Sequence, residues 1–304
     1  MTLLFEQVLN GLQLGVTLFL LAAGLTLVFG IMGLINLAHG SFYMIGAFVA
    51  AKLQAVTGSF LAALVGGSLA AAAVGLIVER TVLRKLYARD HLDQVLATFG
   101  LILFFNEAIS MLFGRQPLLS EIPAYLTGSI TLIEGVPYPM YRLAIIALGV
   151  LVALGLYILI VHTRVGMLVR AGATNREMVR ALGVRIDMLN ALVFALGALL
   201  AGLAGTAMGP LLSVQVGMGD RVLISTFVVI VIGGIGSVRG ALVGALLVGM
   251  VDTMGRALLP GILRSFLPVT AADALGPTLA AMAVYILMAA VLYWKPTGLF
   301  PARG

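Results

Sequence analysis

Apolar residues fill this chain in long runs, and the polar ones collect in short intervals between them. The runs cover 8–31, 33–56, 60–78, 92–113, 142–161, 190–212, 222–237, 240–258 and 276–294. Each is close to the roughly 20 residues a helix needs to cross a bilayer. The runs are continuous rather than alternating, which argues for spanning helices and against a β-barrel. The pattern predicts an all-α polytopic membrane protein with about eight or nine hydrophobic segments, built as one domain over 1–304. Two runs fit poorly as plain helices. One is Gly30-Ile-Met-Gly33-Leu-Ile-Asn36-Leu-Ala-His39-Gly40-Ser41-Phe-Tyr43-Met-Ile-Gly46; the other is Val231-Ile-Gly233-Gly234-Ile-Gly236-Ser237-Val-Arg239-Gly240-Ala-Leu-Val-Gly244. Both place polar groups and glycines inside apolar stretches. Broken helices at membrane depth survive only when buried in protein or lining a cavity. One such segment in each half points to a transport path between two repeats, a possible internal pseudo-symmetry that no strong sequence identity supports.

Composition agrees. The chain is 62% hydrophobic and 10% charged, where a soluble domain carries about 25% charge. It has no cysteine, which excludes disulfides and thiolate metal sites. The 37 glycines sit inside apolar runs, as close helix packing in lipid requires. Met1–Gln7 has no basic residue, so the first run reads as a retained span rather than a cleaved signal.

Basic residues orient the chain. One group is Arg80, Arg84, Lys85 and Arg89; a second is Arg164, Arg170, Arg176, Arg180 and Arg185. Two spans separate them, so both can face the cytosol. The segment 114–141, with Arg115, Glu121, Glu134 and Pro117, Pro123, Pro137 and Pro139, reads as an external loop. The tail Lys295-Pro-Thr-Gly-Leu-Phe-Pro-Ala-Arg303 reads as cytosolic, with Tyr293 and Trp294 anchoring the last helix at the interface. Three spans before the first basic group put the N-terminus outside.

The second basic group, within a cytosolic loop of about 163–189, carries its own helix signals. Thr174 with Glu177 three residues later is a capping box, and Gly183 is a natural helix end. The expected helix covers 175–182, roughly 12 Å long. Met178, Ala181 and Leu182 lie at i, i+3 and i+4 and form a small apolar stripe that needs a surface to cover it. A capped, basic helix at the cytosolic face is an element offered to another protein.

Asn36, His39, Ser41 and Tyr43 either bond neighbouring helices around a broken backbone or line a solute path with Gly40. Glycine amides and helix ends can hold a zwitterion without a charged side chain. Gly233, Gly234, Gly236 and Ser237 are either a close backbone crossing or part of that path. His39 has no second ligand at a suitable spacing, and no metal site is expected. Glu107 lies near Arg115, at the outer interface, and Asp252 and Arg256 pair at i, i+4; both are read as structural.

Gly33-Leu-Ile-Asn-Leu-Ala-His39-Gly40, the loop from Arg170-Ala through Arg176-Glu177 to Ala181-Leu-Gly183-Val, Ala201-Gly-Leu-Ala-Gly205, Gly233-Gly-Ile-Gly-Ser237 with Gly240-Ala-Leu-Val-Gly244, and Lys295-Pro-Thr-Gly-Leu-Phe300 follow one another along nearly the whole length. In this order and spacing they resemble the permease subunit of the branched-chain amino-acid class of bacterial ABC importers. The departures are small: Pro301 where the family often has Gly, and Asp252 where it often has Glu. The resemblance implies an inner-membrane permease that carries a small polar solute inward, first of all a branched-chain amino acid. It also implies two cytosolic ABC ATPases, a second permease (a related chain or a copy of this one) and a periplasmic solute-binding protein as partners, with lipid around them and no nucleic acid. In that setting Arg170, Ala173, Thr174, Arg176, Glu177, Met178, Arg180, Ala181, Leu182 and Gly183 form the coupling element that docks on an ATPase. The chain contains no G-x-x-x-x-G-K-[ST] phosphate loop, so it is expected to bind no cofactor and catalyse nothing, with ATP used by its partners. Branched-chain amino acids, urea or amides, and aromatic acids all remain compatible solutes. The alternative is an ion-coupled secondary transporter or a channel for a small solute such as urea or an amide.

Overall fold

The computed structural model describes residues 2–133 and 136–301. Glu134 and Arg303, assigned above to the external loop and the tail, lie outside the described residues. Eleven helices and one β-hairpin follow in order: α1 (Thr2–Met32), α2 (His39–Thr57), α3 (Phe60–Thr81), α4 (His91–Phe113), β1 (Ser129–Ile133), β2 (Val136–Pro139), α5 (Met140–His162), α6 (Arg164–Thr174), α7 (Arg176–Ala181), α8 (Ile186–Met208), α9 (Met218–Gly233), α10 (Val238–Leu263) and α11 (Val269–Trp294). Seven of them are long and apolar enough to cross a membrane: α1, α3, α4, α5, α8, α10 and α11. The fold is that of an all-α polytopic membrane protein.

α2 and α9, the two apolar helices outside that set, belong to the two runs that fit poorly as plain helices. Residues 33–38 are non-helical between α1 and α2. Gly33 takes φ 63° just after α1 ends, a conformation that side chains with a Cβ resist. Asn36 turns its Oδ1 onto the amide of Ala38 at 3.0 Å, satisfying a backbone donor that lipid could not. The second break is Gly234–Ser237, where Gly234 and Gly236 have φ of 106° and 84°. Ser237 then starts α10 by accepting from the Gly240 amide at 3.1 Å, an N-cap.

α1 and α8 are apolar all round and mostly buried, as helices at the centre of a bundle should be. They run antiparallel: Gly24 faces Gly197, while Gln13 and Thr17 reach Met208. α1 packs along α10 and α8 along α3; α2 packs on α3 and α9 on α10; and α2 meets α9. Exchanging α1–α2–α3 with α8–α9–α10 leaves this set of neighbours unchanged. With α1 and α8 antiparallel this is an inverted pseudo-symmetry, but it pairs the break after α1 with the link between α8 and α9 and so does not relate the two glycine-rich breaks to each other, as the sequence had suggested. α4 and α5 are mostly exposed and present Leu96, Phe104, Leu151 and Ile158 outward, toward lipid in a membrane.

The two ends of the bundle differ. At one, Tyr138 of β2 donates to Asn10 of α1 at 3.1 Å, Arg142 also reaches Asn10, and Gln54 of α2 bonds Ser120 and the Glu121 carbonyl. The 114–141 segment is therefore not a plain loop. It contains the hairpin, with β2 closed off by proline at its edge. The opposite end gathers both basic groups: Arg84 donates to the Asp187 carbonyl at 3.5 Å, and Arg176 lies 5.5 Å from the Tyr87 ring centre. The tail joins them, because the Leu299 and Phe300 amides bond the Ile232 and Gly233 carbonyls. α10 and α11 run longer than their apolar segments and pass through Pro260 and Pro277, which neighbouring helices tolerate in such bundles.

Candidate functional site

The basic loop 163–189 folds into two helices rather than one. Thr163 caps α6 by accepting from the Gly166 amide at 3.1 Å. Gly166 is required there, since a Cβ would lie 2.3 Å from the carbonyl oxygens of Leu159 and Ile160. α6 thus folds back under the end of α5, and Arg170 donates to the Ile160 carbonyl. The helix continues to Thr174, whose hydroxyl donates to its own i−4 carbonyl, Arg170 O. Thr174 therefore does not cap α7, correcting the capping-box reading. Asn175 does, accepting from the Met178 amide at 2.9 Å. Glu177 stays in the first turn, where a carboxylate favours the helix dipole.

The end of α7 agrees with expectation. The Gly183 amide bonds Arg180 O, the Val184 amide bonds Val179 O, and Gly183 has φ 83°, a Schellman closure. Val179 alone on this helix turns inward. Met178 is 57% and Leu182 76% exposed, with Ala181, Glu177 and Arg180 exposed beside them. The apolar stripe is present and uncovered.

Beneath α7 lies a charged group that the sequence reading missed. Glu79, in the last turn of α3, is fully buried. It accepts from the Tyr87 hydroxyl at 2.9 Å and pairs with Arg84 at 3.4 Å. Burial first, and then the Glu79 charge, holds the Tyr87 phenol well above its usual range, so it remains a donor. Arg176, at the start of α7, stacks on that ring, a contact of about 0.5–1 kcal/mol at such partly exposed sites. Through Arg176 and the Tyr87 ring, the start of α7 is thereby tied to a buried carboxylate of the spanning bundle.

The residues assigned to a solute path sit in the interior. Asn36, His39, Ser41 and Tyr43 are buried. His39 places Nε2 3.2 Å from the Leu21 carbonyl, well inside α1 rather than at its end. Asn36 Nδ2 and Ser41 Oγ have no partner among the described residues. Gly40 crosses Gly219, and Gly233 crosses Gly240, each with backbone against backbone. α9 is therefore gripped at its start by the first broken segment and at its end by the second. Gly30 also meets Gly236, and Gly234 meets Phe300. Glu107 and Arg115 form an exposed pair at 3.4 Å.

Two cavities border these segments. One, of about 720 Å³ at the α7 end, is lined by Thr26 and Gly30 of α1, by Ala173 and Thr174, and by Gly236 and Ser237. The other, about 320 Å³, lies among α1, α2, α8, α9, α10 and α11, and Tyr43, Arg221, Ser225, Asp252 and Arg256 are among its lining residues. Asp252 and Arg256 pair as expected, at 2.9 Å. Arg221 was missed. Its signal was a charged pair, Asp220-Arg221, at the threshold of an apolar run; Asp220 accepts from Asn106 of α4 at 3.2 Å.

The family described as the permease component of branched-chain amino acid transport systems matches residues 7–293. The chain is 32% identical to the high-affinity branched-chain amino acid transport permease BraD of Pseudomonas aeruginosa, covering 97% of this chain and 94% of that one. It is 31% identical to the corresponding permease LivH of Escherichia coli K12, over 84% and 86% of the two chains. It is 26% identical to the ribose import permease RbsC of the same organism, over 77% and 72%.

Proposed function

This chain belongs to the permease family of branched-chain amino acid transport systems and is a permease of an ABC importer; we propose that it carries an apolar amino acid inward, driven through α7 by ATPases on separate chains. The observation that carries the driving step is the α6–α7 elbow, an exposed apolar and charged face seated firmly on the bundle. Two such faces are needed to engage two ATPases, so a second permease, related or identical, completes the path. A periplasmic binding protein delivers the solute to the hairpin end. The N-terminus then lies outside and the C-terminus in the cytosol of an inner-membrane protein. ATP is held by the ATPases, with no cofactor on this chain. Names of the relatives and the small polar-to-apolar cavity at the hairpin end support the choice of solute.

The test is Glu177→Lys in the reconstituted transporter. Glu177 is exposed and belongs to none of the ion pairs among the described residues, so the variant loses only a favourable place at the helix start and is expected to insert and fold. Uptake should fall about tenfold, as a reversed charge in a contact costs upward of ~1.4 kcal/mol, while the ATPases still hydrolyse ATP. Normal uptake per ATP would remove α7 from the coupling role. A cysteine placed at Arg176 should react with an impermeant thiol reagent from the cytosolic side alone.

A further inference from the structure

We infer that the cavity at the hairpin end is a solute site within a single permease chain, with Arg221 binding the carboxylate of an amino acid whose side chain lies on the apolar wall. The inference rests on the import reading above and adds to it where in the membrane the solute pauses.

The cavity has two kinds of lining. Leu14, Leu18, Val228, Val248 and Val284 give it apolar walls. Thr17, Tyr43, Arg221, Ser225, Asp252 and Arg256 give it polar ones. Asp252 and Arg256 neutralise each other through a two-pronged contact. None of the ion pairs among the described residues takes up Arg221. The cavity is thus left with one net positive charge beside an apolar wall. Arg221 stands exposed in the first turn of α9, where a solute can reach it, and a guanidinium fork matches a carboxylate in two parallel bonds. Asp252 keeps acceptor capacity beyond its bonds to Arg256, since a carboxylate offers about four lone-pair sites. With the Ser225 and Tyr43 hydroxyls it can receive an ammonium group. A volume of about 320 Å³ is at the small end for ligand sites, which suits a single amino acid rather than a peptide.

The placement fits transport. Arg221 and Ser225 stand on α9 and Tyr43 on α2; α2 follows the first interruption, α9 precedes the second, and the two helices cross at Gly40 and Gly219. A solute held here touches both halves of the inverted pair, so their relative movement would change the site.

The experiment is equilibrium binding of radiolabelled leucine to the purified whole transporter in nanodiscs without its binding protein, beside ATP-driven leucine uptake by the same transporter sealed into proteoliposomes with its binding protein. Wild type should bind leucine saturably, with leucine competing and leucinamide, which lacks the carboxylate, failing to compete. Arg221→Gln should weaken binding at least tenfold and Arg221→Lys less. Ser225→Leu, which fills the cavity and leaves the charge, should abolish binding. The site is overturned if Arg221→Gln binds as wild type or if leucinamide competes as well as leucine. Uptake of leucine without any binding would leave the import reading standing and remove this site; no ATP-driven uptake of leucine would remove both.

Discussion

Arg84→Met is expected to be among the most destabilising single changes at the α7 end, and adding Glu79→Gln is expected to restore much of the loss. Glu79 has no exposed surface, and Arg84 is its charged partner at 3.4 Å. Removing one partner of a buried pair costs about 3–5 kcal/mol, because the other charge stays in low dielectric uncompensated. The Arg84 side chain is 39% exposed, so water already screens part of the attraction, and about 2–3 kcal/mol is the appropriate expectation. Arg84 also holds the Asp187 carbonyl at the start of α8, so its loss loosens the root of the α6–α7 elbow. In the double variant the amide still accepts from the Tyr87 hydroxyl, and no charge is left stranded. Thermal stability of the solubilised protein, followed by size-exclusion chromatography after heating, checks this. A double variant no more stable than Arg84→Met would mean that the buried charge is not the source of the cost.

Much of this architecture was legible along the chain, because lipid imposes a strict length on apolar runs and glycine marks backbone that cannot carry a Cβ. All nine apolar runs became helices in the expected order, and both basic groups came to one end. The Asp252–Arg256 pair needed only helical spacing to be seen. What failed were choices between locally equal alternatives. Thr174 and Asn175 are both good caps, and which one starts α7 depends on how far α6 runs. That in turn is set by Gly166, Val169 and Gly172 packing inward, a tertiary matter. Glu79 stands among Arg80, Arg84 and Lys85 and reads as part of a solvated loop; only the fold of the α3–α4 corner buries it. Arg221 acquires meaning from a cavity built by six helices, which no local pattern encodes. The inverted pairing was similarly hidden, because it depends on which helices touch and small residues at crossings leave little identity between the halves.

Gly40→Ala is expected to cripple the protein, although alanine is the better helix former by about 1 kcal/mol. A Cβ at Gly40 would stand 2.4 Å from the Gly219 carbonyl oxygen and 2.8 Å from its carbon. Both atoms are backbone, so no side chain can swing aside, and α2 and α9 must separate. Overpacking of a core by one methyl group costs about 1–3 kcal/mol where side chains can give way; here the helices themselves must shift, so the upper end or more is expected. Gly219→Ala should do the same from the other side, since its Cβ would press on the Gly40 carbonyl. The controls are Gly100→Ala and Gly155→Ala, on α4 and α5, where nothing lies within 4 Å of the added atom. Those should match or slightly exceed wild type in stability. Membrane accumulation, thermal stability and uptake measured together separate the consequences. A Gly40→Ala protein that accumulates normally but imports poorly would show that the crossing serves movement as well as packing, since it is where the two interrupted segments grip one another through α9. A Gly40→Ala protein with wild-type stability and wild-type uptake would mean that the two helices do not approach this closely in the membrane, and the inverted pair would lose the crossing of α2 on α9 as one of the contacts between its halves.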